Sequence, residues 1–217
     1  MPDVFGLYLV LTNPAAGYER TAEAAVETGV RYLQLRMKNQ PPEEVLEMAR
    51  RLRRITAGTK TRFIVNDDVE IARESSADGV HLGQDDLSIA EARRRWPAGG
   101  KIFGLSTHTE EQELHARELA PDYIGVGPVF PTPTKDRPDP VLGVERMGRI
   151  VRSSPLTTVA IGGIGANNLA EVLRHAAMNF CVVRAVNQSA DPAATIRRLQ
   201  EIWREAVLRD RPPRKAG

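Results

Sequence analysis

Short apolar segments rich in branched residues alternate with amphipathic helical segments along nearly the whole chain, and this alternation constrains the fold more than any other feature. The predicted strands are residues 7–11, 32–35, 63–65, 79–82, 102–105, 123–126, 158–161 and 180–183. The predicted helices are residues 21–29, 42–55, 69–76, 89–96, 110–120, 144–150, 168–176 and 191–207. Strict βα alternation is typical of either a closed parallel barrel or an open sheet covered by helices on both faces.

Eight units of similar size favour the closed barrel over the open sheet. The 217 residues leave about 27 for each unit, with no room for a large insertion. An open dinucleotide-binding sheet more often carries G-x-G-x-x-G after its first strand, and the segment LVLTNPAAG lacks it. We therefore predict an α/β fold, a single (β/α)8 TIM barrel over residues 1–208, with the active site at the carboxyl ends of the strands. Residues 209–217 are predicted to form a disordered basic tail.

Charge and cysteine content exclude several other classes of protein. The formal net charge is +2, and the excess lies in the tail, where Arg209, Arg211, Arg214 and Lys215 face only Asp210. The body is then nearly neutral, which argues against a nucleic-acid-binding face. The apolar segment at residues 4–12 is too short to span a bilayer, so we predict a strand there and no membrane partner. A single cysteine, in the segment FCVV, excludes an internal disulfide and indicates a reducing, cytoplasmic environment.

The second predicted strand carries polar side chains toward one end of the barrel. Because side chains alternate along a strand, Gln34, Arg36 and Lys38 share one face of the segment YLQLRMK, and Met37 lies on the opposite face. The apolar face of a barrel strand meets the surrounding helices. We therefore expect the polar face to point into the barrel mouth, although a strand with one solvated face is the alternative.

Two acidic pairs follow neighbouring predicted strands, in the segments FIVNDD and HLGQDD. Asp67 or Asp68 could cap the next helix, because a glutamate follows Asp67 at the spacing of a capping box. Asp86 is not needed as a cap, because the fourth helix has its own capping box that starts at Ser88. Carboxylates at adjacent strand ends repel each other unless a cation lies between them, and a hard cation that also binds phosphate is Mg²⁺. We therefore predict Mg²⁺ as the cofactor, held by Asp67 and Asp86.

Candidate phosphate-binding residues follow the sixth and seventh strands. The connection at residues 127–143 contains five prolines, so neither a helix nor a paired strand is expected there. Thr132, Thr134 and Lys135 in this connection predict a loop that closes over a phosphate, with disorder as the alternative. After the seventh strand, Gly162 and Gly163 would let backbone amides approach an anion just before a helix, although a tight turn also needs glycines.

The segments QLRMK, VNDD, HLGQDD, GLSTHT, GVGPVFPTPTK and AIGGI, in this order, resemble the motif series of the thiamine-phosphate synthase family. The resemblance implies a Mg²⁺-dependent barrel enzyme, a transferase that joins hydroxymethylpyrimidine diphosphate to thiazole ethyl phosphate. The products are pyrophosphate and thiamine monophosphate. It also implies small-molecule substrates rather than a nucleic acid or a membrane, and it is compatible with a homo-oligomer.

The resemblance assigns roles by position. It assigns Asp67 and Asp86 to the metal. It assigns the diphosphate to Arg36, Lys38, Asn66, Thr132, Thr134 and Lys135. It places Gln34, His81 and Ser106 near the pyrimidine. It assigns the thiazole phosphate to Gly162 or Gly163 with the main chain at Val183 and Arg184. The residues predicted to act in catalysis are Arg36, Lys38, Ser106 and Lys135.

Two residues depart from the family pattern, and other functions compete with this one. Met37 stands where an acid is common, on the face directed at the helices, and Arg184 stands where a serine is common, which leaves its contact with phosphate open. His108 either takes part in the site or serves as a turn residue, a helix cap or a packed ring.

A thiazole tautomerase and a non-catalytic phosphate-binding barrel would both keep the glycine pocket but would leave the acidic pairs without a function. A phosphosugar isomerase would need an acid and base pair that the sequence does not offer.

Overall fold

The eight predicted strands form a closed barrel of parallel strands in the computed structural model, which describes residues 3–132 and 139–209. The strands are β1 (Leu7–Leu11), β2 (Tyr32–Leu35), β3 (Arg62–Asn66), β4 (Gly79–Leu82), β5 (Ile102–Thr107), β6 (Tyr123–Val126), β7 (Thr158–Ala160) and β8 (Phe180–Val182). Each strand pairs with its neighbours in chain order, and β8 closes the barrel on β1. The predicted (β/α)8 fold is confirmed.

A helix follows each strand, and one further short helix lies between β8 and the last long helix. The helices are α1 (Tyr18–Glu27), α2 (Pro42–Thr56), α3 (Val69–Glu74), α4 (Ile89–Arg95), α5 (Glu110–Leu119), α6 (Gly143–Ser153), α7 (Leu169–Arg174), α8 (Arg184–Asn187) and α9 (Pro192–Arg209). The sequence pattern did not predict α8, because four residues are too few to show a helical period.

The apolar side chains form two separate clusters on the two faces of the barrel wall. The larger cluster lies between the strands and the helices and includes Leu9 of β1 and Leu33 of β2. The smaller cluster fills the barrel interior and is built from Tyr8, Val10, Tyr123, Val159 and Cys181. All five residues of β1 are buried because both of its faces are covered, as is usual for parallel strands. Alternation along β1 therefore decides which side chains reach the interior.

An aspartate at the amino end of the barrel ties a strand to the surrounding helices. Asp78 precedes β4, and its Oδ2 accepts hydrogen bonds from the backbone N–H of Phe63 at 2.8 Å and from Arg53 Nη1 at 3.1 Å. Phe63 is fully buried, so its N–H has no access to water as a substitute partner. This carboxylate therefore stabilises the fold at the end of the barrel away from the predicted site.

Replacing Asp78 by Ala is expected to lower the free energy of unfolding by about 2–3 kcal/mol, because it leaves a buried N–H and a partly buried guanidinium without their acceptor. For a chain of this size the melting temperature should fall by roughly 4–12 °C. Asp78→Asn keeps an acceptor oxygen and should lose less. Steady-state KM values should stay at those of the unsubstituted protein, and a change in KM with an unchanged melting temperature would contradict the structural role.

The described ranges contain no helix that is both long enough and apolar enough to cross a lipid bilayer. The last helix reaches Arg209, one residue into the segment that was predicted to be a tail. The rest of that segment, residues 210–217, lies outside the described residues.

Candidate active site

A cavity of about 320 Å³ opens at the carboxyl ends of the strands. Most of the residues predicted to bind substrate line it. These are Gln34, Arg36, Asn66, His81, Ser106, Thr132, Gly162, Gly163, Val183 and Arg184. Thr134 and Lys135 lie outside the described residues, so their predicted roles stay predictions. The residues brought together come from seven of the eight strands or the loops after them, which a barrel with its site at this end requires.

Asp67 and Asp86 lie next to each other at the rim of this cavity. Their carboxyl groups are close enough to interact electrostatically, and Lys38 forms an ion pair with Asp67. Although Asp86 is an exposed residue, partial desolvation of its carboxyl raises its pKa, and the neighbouring Asp67 adds to that rise. A hydrogen bond from the Gly83 N–H, at 2.7 Å, opposes it. The two acids thus form a site with an excess of negative charge.

The helix caps near these acids are now assigned, and neither Asp67 nor Asp86 is one of them. Asp68 caps α3, because its Oδ1 accepts a hydrogen bond from the Ile71 N–H at 2.9 Å. Ser88 caps α4 by accepting from the N–H of the residue three positions on, as predicted. Asp67 itself has a φ of 65°, an uncommon conformation for a residue other than glycine. This backbone conformation separates the side chain of Asp67 from that of Asp68, which caps the helix.

The residues at this rim fit the predicted magnesium ion. Two adjacent carboxylates provide hard oxygen ligands, and a cation between them would offset the repulsion from Asp67 that adds to the effect of desolvation on the pKa of Asp86. Within residues 3–132 and 139–209, no three histidine, cysteine or acidic side chains converge in a way that could hold a metal without other ligands. The remaining ligands would therefore be water and substrate phosphate, which is the usual arrangement for Mg²⁺.

The segment after β2 carries two cations, of which Arg36 lines the cavity and Lys38 pairs with the acidic site. Arg36 lines the cavity and its N–H donates to the Leu11 carbonyl at 2.9 Å, which holds the segment beside the end of β1. Lys38, two residues on, is half exposed and reaches Asp67. Met37 between them packs against the outer apolar cluster, as alternation predicted. Positive and negative groups thus meet at this end of the barrel.

The floor of the cavity contains two residues that the sequence reasoning missed, Tyr8 and Tyr123. His81 stacks on Tyr123 with ring centroids 5.5 Å apart, its Nδ1 lies 3.0 Å from Tyr123 Oη, and its Nε2 lies 2.9 Å from Ser106 Oγ. The sequence offered no nucleophile paired with a base, and the structure does bring Ser106 and His81 together. The signal that could have found the tyrosines is alternation, because Tyr8 shares its strand face with Val10.

The glycines after β7 have a packing role that the sequence reasoning did not include. Gly162 and Gly163 have φ of 104° and 67°. A Cβ at Gly162 would lie 2.6 Å from Pro128, and one at Gly163 would lie 2.7 Å from the Phe130 side chain. The backbone here must therefore pass close to the loop after β6. Their predicted contact with the thiazole phosphate stays a prediction.

The short helix α8 begins at the wall of the cavity. Barrels often bind phosphate with the loops after their last two strands and the start of a short extra helix, and α8 is such a helix. Arg184 is its first residue, lines the cavity, and has its Nη2 3.5 Å from Gln188 Oε1. The predicted helix at residues 168–176 is slightly longer than α7, which spans Leu169–Arg174. Asn168 instead holds the glycine loop, by donating to the Gly163 carbonyl at 2.9 Å.

His108 anchors the loop after β6 rather than capping a helix. Its Nδ1 donates to the Gly127 carbonyl at 2.6 Å and its Nε2 lies 3.4 Å from Asp139 Oδ2. The cap of α5 is Thr109, whose side chain accepts from the Gln112 N–H. The described parts of the loop form no strand, as its prolines predicted, although Val129 donates to the Ile161 carbonyl at 2.8 Å. Residues 133–138 of the loop lie outside the described residues.

The single cysteine is expected to be chemically inert in the folded protein. Cys181 is 3% exposed in the barrel interior, and burial raises the pKa of its thiol well above the ordinary value. The thiol therefore stays protonated at pH 8, where the reactive form is the thiolate. We expect its alkylation at pH 8 to be more than about a hundredfold slower in the native protein than in urea. Equal rates in the two conditions, measured by mass spectrometry, would show that the barrel interior is open to reagents.

A comparison with protein families matches residues 7–186 to the model of thiamine monophosphate synthase. Among curated proteins, the thiamine-phosphate synthase of Archaeoglobus fulgidus is 38% identical over 206 residues, which cover 94% of this chain and 96% of that protein. The thiamine-phosphate synthase of Shouchella clausii is 38% identical over 195 residues, or 89% of this chain and 92% of that protein.

Solved structures give the same result. The thiamine phosphate pyrophosphorylase from Pyrococcus furiosus superposes with a TM-score of 0.85 at 33% identity, over 94% of this chain and 97% of that one. A 3-hexulose-6-phosphate synthase superposes with a TM-score of 0.69 over 91% of this chain, but at 17% identity that likeness concerns the fold alone.

Proposed function

The chain belongs to the thiamine monophosphate synthase family, and on that premise we propose that it transfers the hydroxymethylpyrimidine group from its diphosphate to thiazole ethyl phosphate. The reaction releases pyrophosphate and leaves thiamine monophosphate, so the enzyme is a transferase of an alkyl group other than methyl. The observation that carries this proposal is the juxtaposition of Asp67, Asp86 and Lys38 at the end of the barrel where Arg36 lines the cavity. A thiazole tautomerase, which releases no pyrophosphate, would have no use for this rim.

The main requirement of this reaction is stabilisation of the leaving group, pyrophosphate. The bond from the pyrimidine methylene carbon to the diphosphate oxygen breaks, and its electron pair leaves with the pyrophosphate. The electron-rich aminopyrimidine delocalises the positive charge that develops on the carbon. Arg36 and Lys38 would bind the oxygens on which negative charge accumulates, and preorganised charges of this kind are often the largest part of catalysis. Mg²⁺ held by Asp67 and Asp86 would supply further charge neutralisation on the same oxygens.

The second half of the reaction needs alignment rather than proton transfer. The thiazole nitrogen attacks the methylene carbon with its lone pair and carries no proton that must be removed, so a general base is not required. We propose that Gly162 or Gly163 and the backbone at Val183 and Arg184 bind the thiazole phosphate, opposite the acidic rim. Holding the two rings in line converts a bimolecular step into one within a complex. Gln34, His81 and Ser106 would orient the pyrimidine at the cavity floor.

A pyrophosphate-release assay with both substrates tests the proposed function. We expect release that requires both substrates together and that stops when EDTA removes the divalent metal. Tautomerisation of a thiazole phosphate without pyrophosphate release would favour the tautomerase. Binding of thiazole phosphate without any turnover would favour a non-catalytic phosphate-binding barrel. Either of these two results would refute the synthase assignment.

We also propose a location and an assembly state for the protein. A cytoplasmic location agrees with a single cysteine and with the absence of a disulfide within the described residues. A homo-oligomer is compatible with the fold, and the mass measured by light scattering would decide it.

A further inference from the structure

A chain of hydrogen-bonded side chains crosses the cavity floor from β2 to β5. It begins at Gln34, whose Nε2 donates to Tyr8 Oη at 3.0 Å. The Tyr8 and Tyr123 hydroxyl oxygens lie 2.7 Å apart. From Tyr123 the chain continues through His81 to Ser106, at the distances given above. Every member of the chain lines the cavity, and Ser106, the last of them, is the penultimate residue of β5.

The direction of the hydrogen atoms in this chain follows from counting donors and acceptors. Burial raises the pKa of both tyrosine hydroxyls, so each keeps its one hydrogen. Tyr8 Oη already accepts from Gln34, and among the described residues its other hydrogen-bonding partner is Tyr123. Tyr8 is 2% exposed, so its own hydrogen must go to Tyr123 or remain buried without an acceptor, which folded proteins avoid. Tyr123 therefore accepts from Tyr8 and gives its hydrogen to His81 Nδ1.

Counting donors and acceptors also decides which nitrogen of His81 carries hydrogen and whether Ser106 accepts or donates in this pair. A ring nitrogen that accepts a hydrogen bond carries no hydrogen, so in the neutral ring the hydrogen of His81 is on Nε2. Nε2 then donates to Ser106 Oγ at 2.9 Å. Ser106 must accept from His81, and its own hydrogen is left for another acceptor. Such an imidazole cannot remove the proton of Ser106, so the pair does not work as a nucleophile and its base.

A glycine on the strand between His81 and Tyr123 makes this chain possible. Gly104 of β5 lies beside His81 of β4 and beside Tyr123 of β6 in the strand register. A Cβ at this position would lie 2.4 Å from Tyr123 Oη and 2.6 Å from His81 Nδ1. The two side chains thus meet across β5 because that position carries no side chain. The arrangement is therefore built into the barrel wall and does not depend on a loop.

We propose that Tyr8 and Tyr123 are positioning residues that hold His81 as its Nε2-protonated tautomer and so make Ser106 a hydrogen-bond donor into the cavity. The acceptor, which rests on the proposed function, is an oxygen of the pyrimidine diphosphate. Neither tyrosine needs to contact the reacting atoms. Each acts through His81, by deciding which of its two nitrogens carries the hydrogen.

The tautomer is measured directly by nitrogen NMR of the ligand-free protein labelled at histidine. The chain has four histidines, and loss of one signal set in His81→Asn assigns the resonances. We expect His81 Nε2 to be protonated and Nδ1 to be bare at neutral pH. In Tyr8→Phe the hydroxyl that directs Tyr123 is gone, so a measurable Nδ1-protonated population should appear. An Nδ1-protonated His81 in the unsubstituted protein would overturn the proposal.

Kinetics give the second readout. Tyr8→Phe and Tyr123→Phe should each lower kcat/KM by roughly three- to tenfold, the effect of losing about one neutral hydrogen bond. Tyr32→Phe is the matched control, since its ring stacks on Tyr8 at 5.4 Å while its hydroxyl is not part of the chain. It should leave both the tautomer and kcat/KM unchanged. An unchanged tautomer in Tyr8→Phe and in Tyr123→Phe would refute the proposal.

These two readouts separate this proposal from the proposed function. The tautomer is observed without substrate, so it decides the positioning role even if the chain releases no pyrophosphate. Failure of the unsubstituted protein to release pyrophosphate would refute the proposed function and, with it, the diphosphate as the acceptor for Ser106.

Discussion

Replacing Asp86 by Asn is expected to lower kcat/KM for pyrophosphate release by about 100- to 1000-fold, the range found when a preorganised electrostatic group is removed from an active site. Asn keeps the size of the side chain and can still accept from the Gly83 N–H, but it removes one of the two charges that we propose hold the metal ion. Part of the loss should be recovered at high Mg²⁺ concentration, because the site is weakened rather than destroyed. A titration of rate against Mg²⁺ concentration measures both effects.

Asp85→Asn is the matched control. Asp85 is the exposed acid next to Asp86, and no hydrogen bond or ion pair involves its side chain within the described residues. The same change of charge one position away should leave kcat/KM within about twofold of the starting value, because exposed charges are largely screened. Equal losses in the two variants would show that the overall charge of the rim matters and that a specific metal site does not.

Asp86→Asn also has a predictable effect on the stability of the metal-free protein. The pKa of Asp86 is raised in the folded protein. A raised carboxyl pKa contributes stability that is present below the unfolded pKa and is lost as the pH rises through the folded pKa. In EDTA the starting protein should therefore lose stability over that pH window, and Asp86→Asn should not. Melting temperatures at neutral pH should be equal or higher in the variant, which would separate loss of activity from loss of folding.

Arg36→Ala is expected to lower kcat/KM by about 100- to 1000-fold as well, for a different reason. An arginine that binds a phosphate through two parallel N–H groups makes two charge-assisted hydrogen bonds, each worth roughly 1.5–3 kcal/mol. Since about 1.4 kcal/mol corresponds to a tenfold change in rate, loss of both predicts at least a hundredfold. Much of the loss should be in kcat, because the charge on the departing oxygens increases in the transition state.

Two other variants test whether the planar fork of Arg36 matters. Arg36→Lys keeps the charge and loses the paired geometry, so we expect a loss of about tenfold. Arg62→Ala removes an arginine from the other end of the barrel, where its half-exposed side chain lies 3.7 Å from Asp78, and activity should not change. If Arg36→Lys were as damaging as Arg36→Ala, geometry would dominate over charge. Full activity in Arg36→Ala would remove this residue from the mechanism.

The fold could be predicted because the apolar runs, the helical periods and the even length of the units all indicate the same architecture. Strand predictions match the observed strands to within two residues at each end, since bounded apolar runs between amphipathic segments leave few alternatives. The position of the site at the carboxyl ends of the strands then followed from the fold. The helix α8 was missed because it has no period of its own and forms only where β8 ends at the cavity.

The candidate site could be predicted at its rim and less well at its floor. Charged residues such as Arg36 and Asp67 stand out in a sequence because strands inside a ring of helices seldom need them. Tyr8 and Tyr123 read as ordinary apolar strand residues, and their hydroxyls become informative only when closure of the barrel brings them 2.7 Å apart. The choice between Asp67 and Asp68 as the cap was also open, because it depends on one backbone turn at Asp67.

The central claim is that Asp67 and Asp86 together hold the divalent ion that accompanies the departing pyrophosphate. Anomalous scattering from Mn²⁺ in a crystal soaked with pyrophosphate tests it most directly, because the element itself is located. We expect one strong peak between the two carboxylates, with a pyrophosphate oxygen completing its coordination next to Arg36. A peak at any other position, or pyrophosphate bound with no peak, would contradict the account.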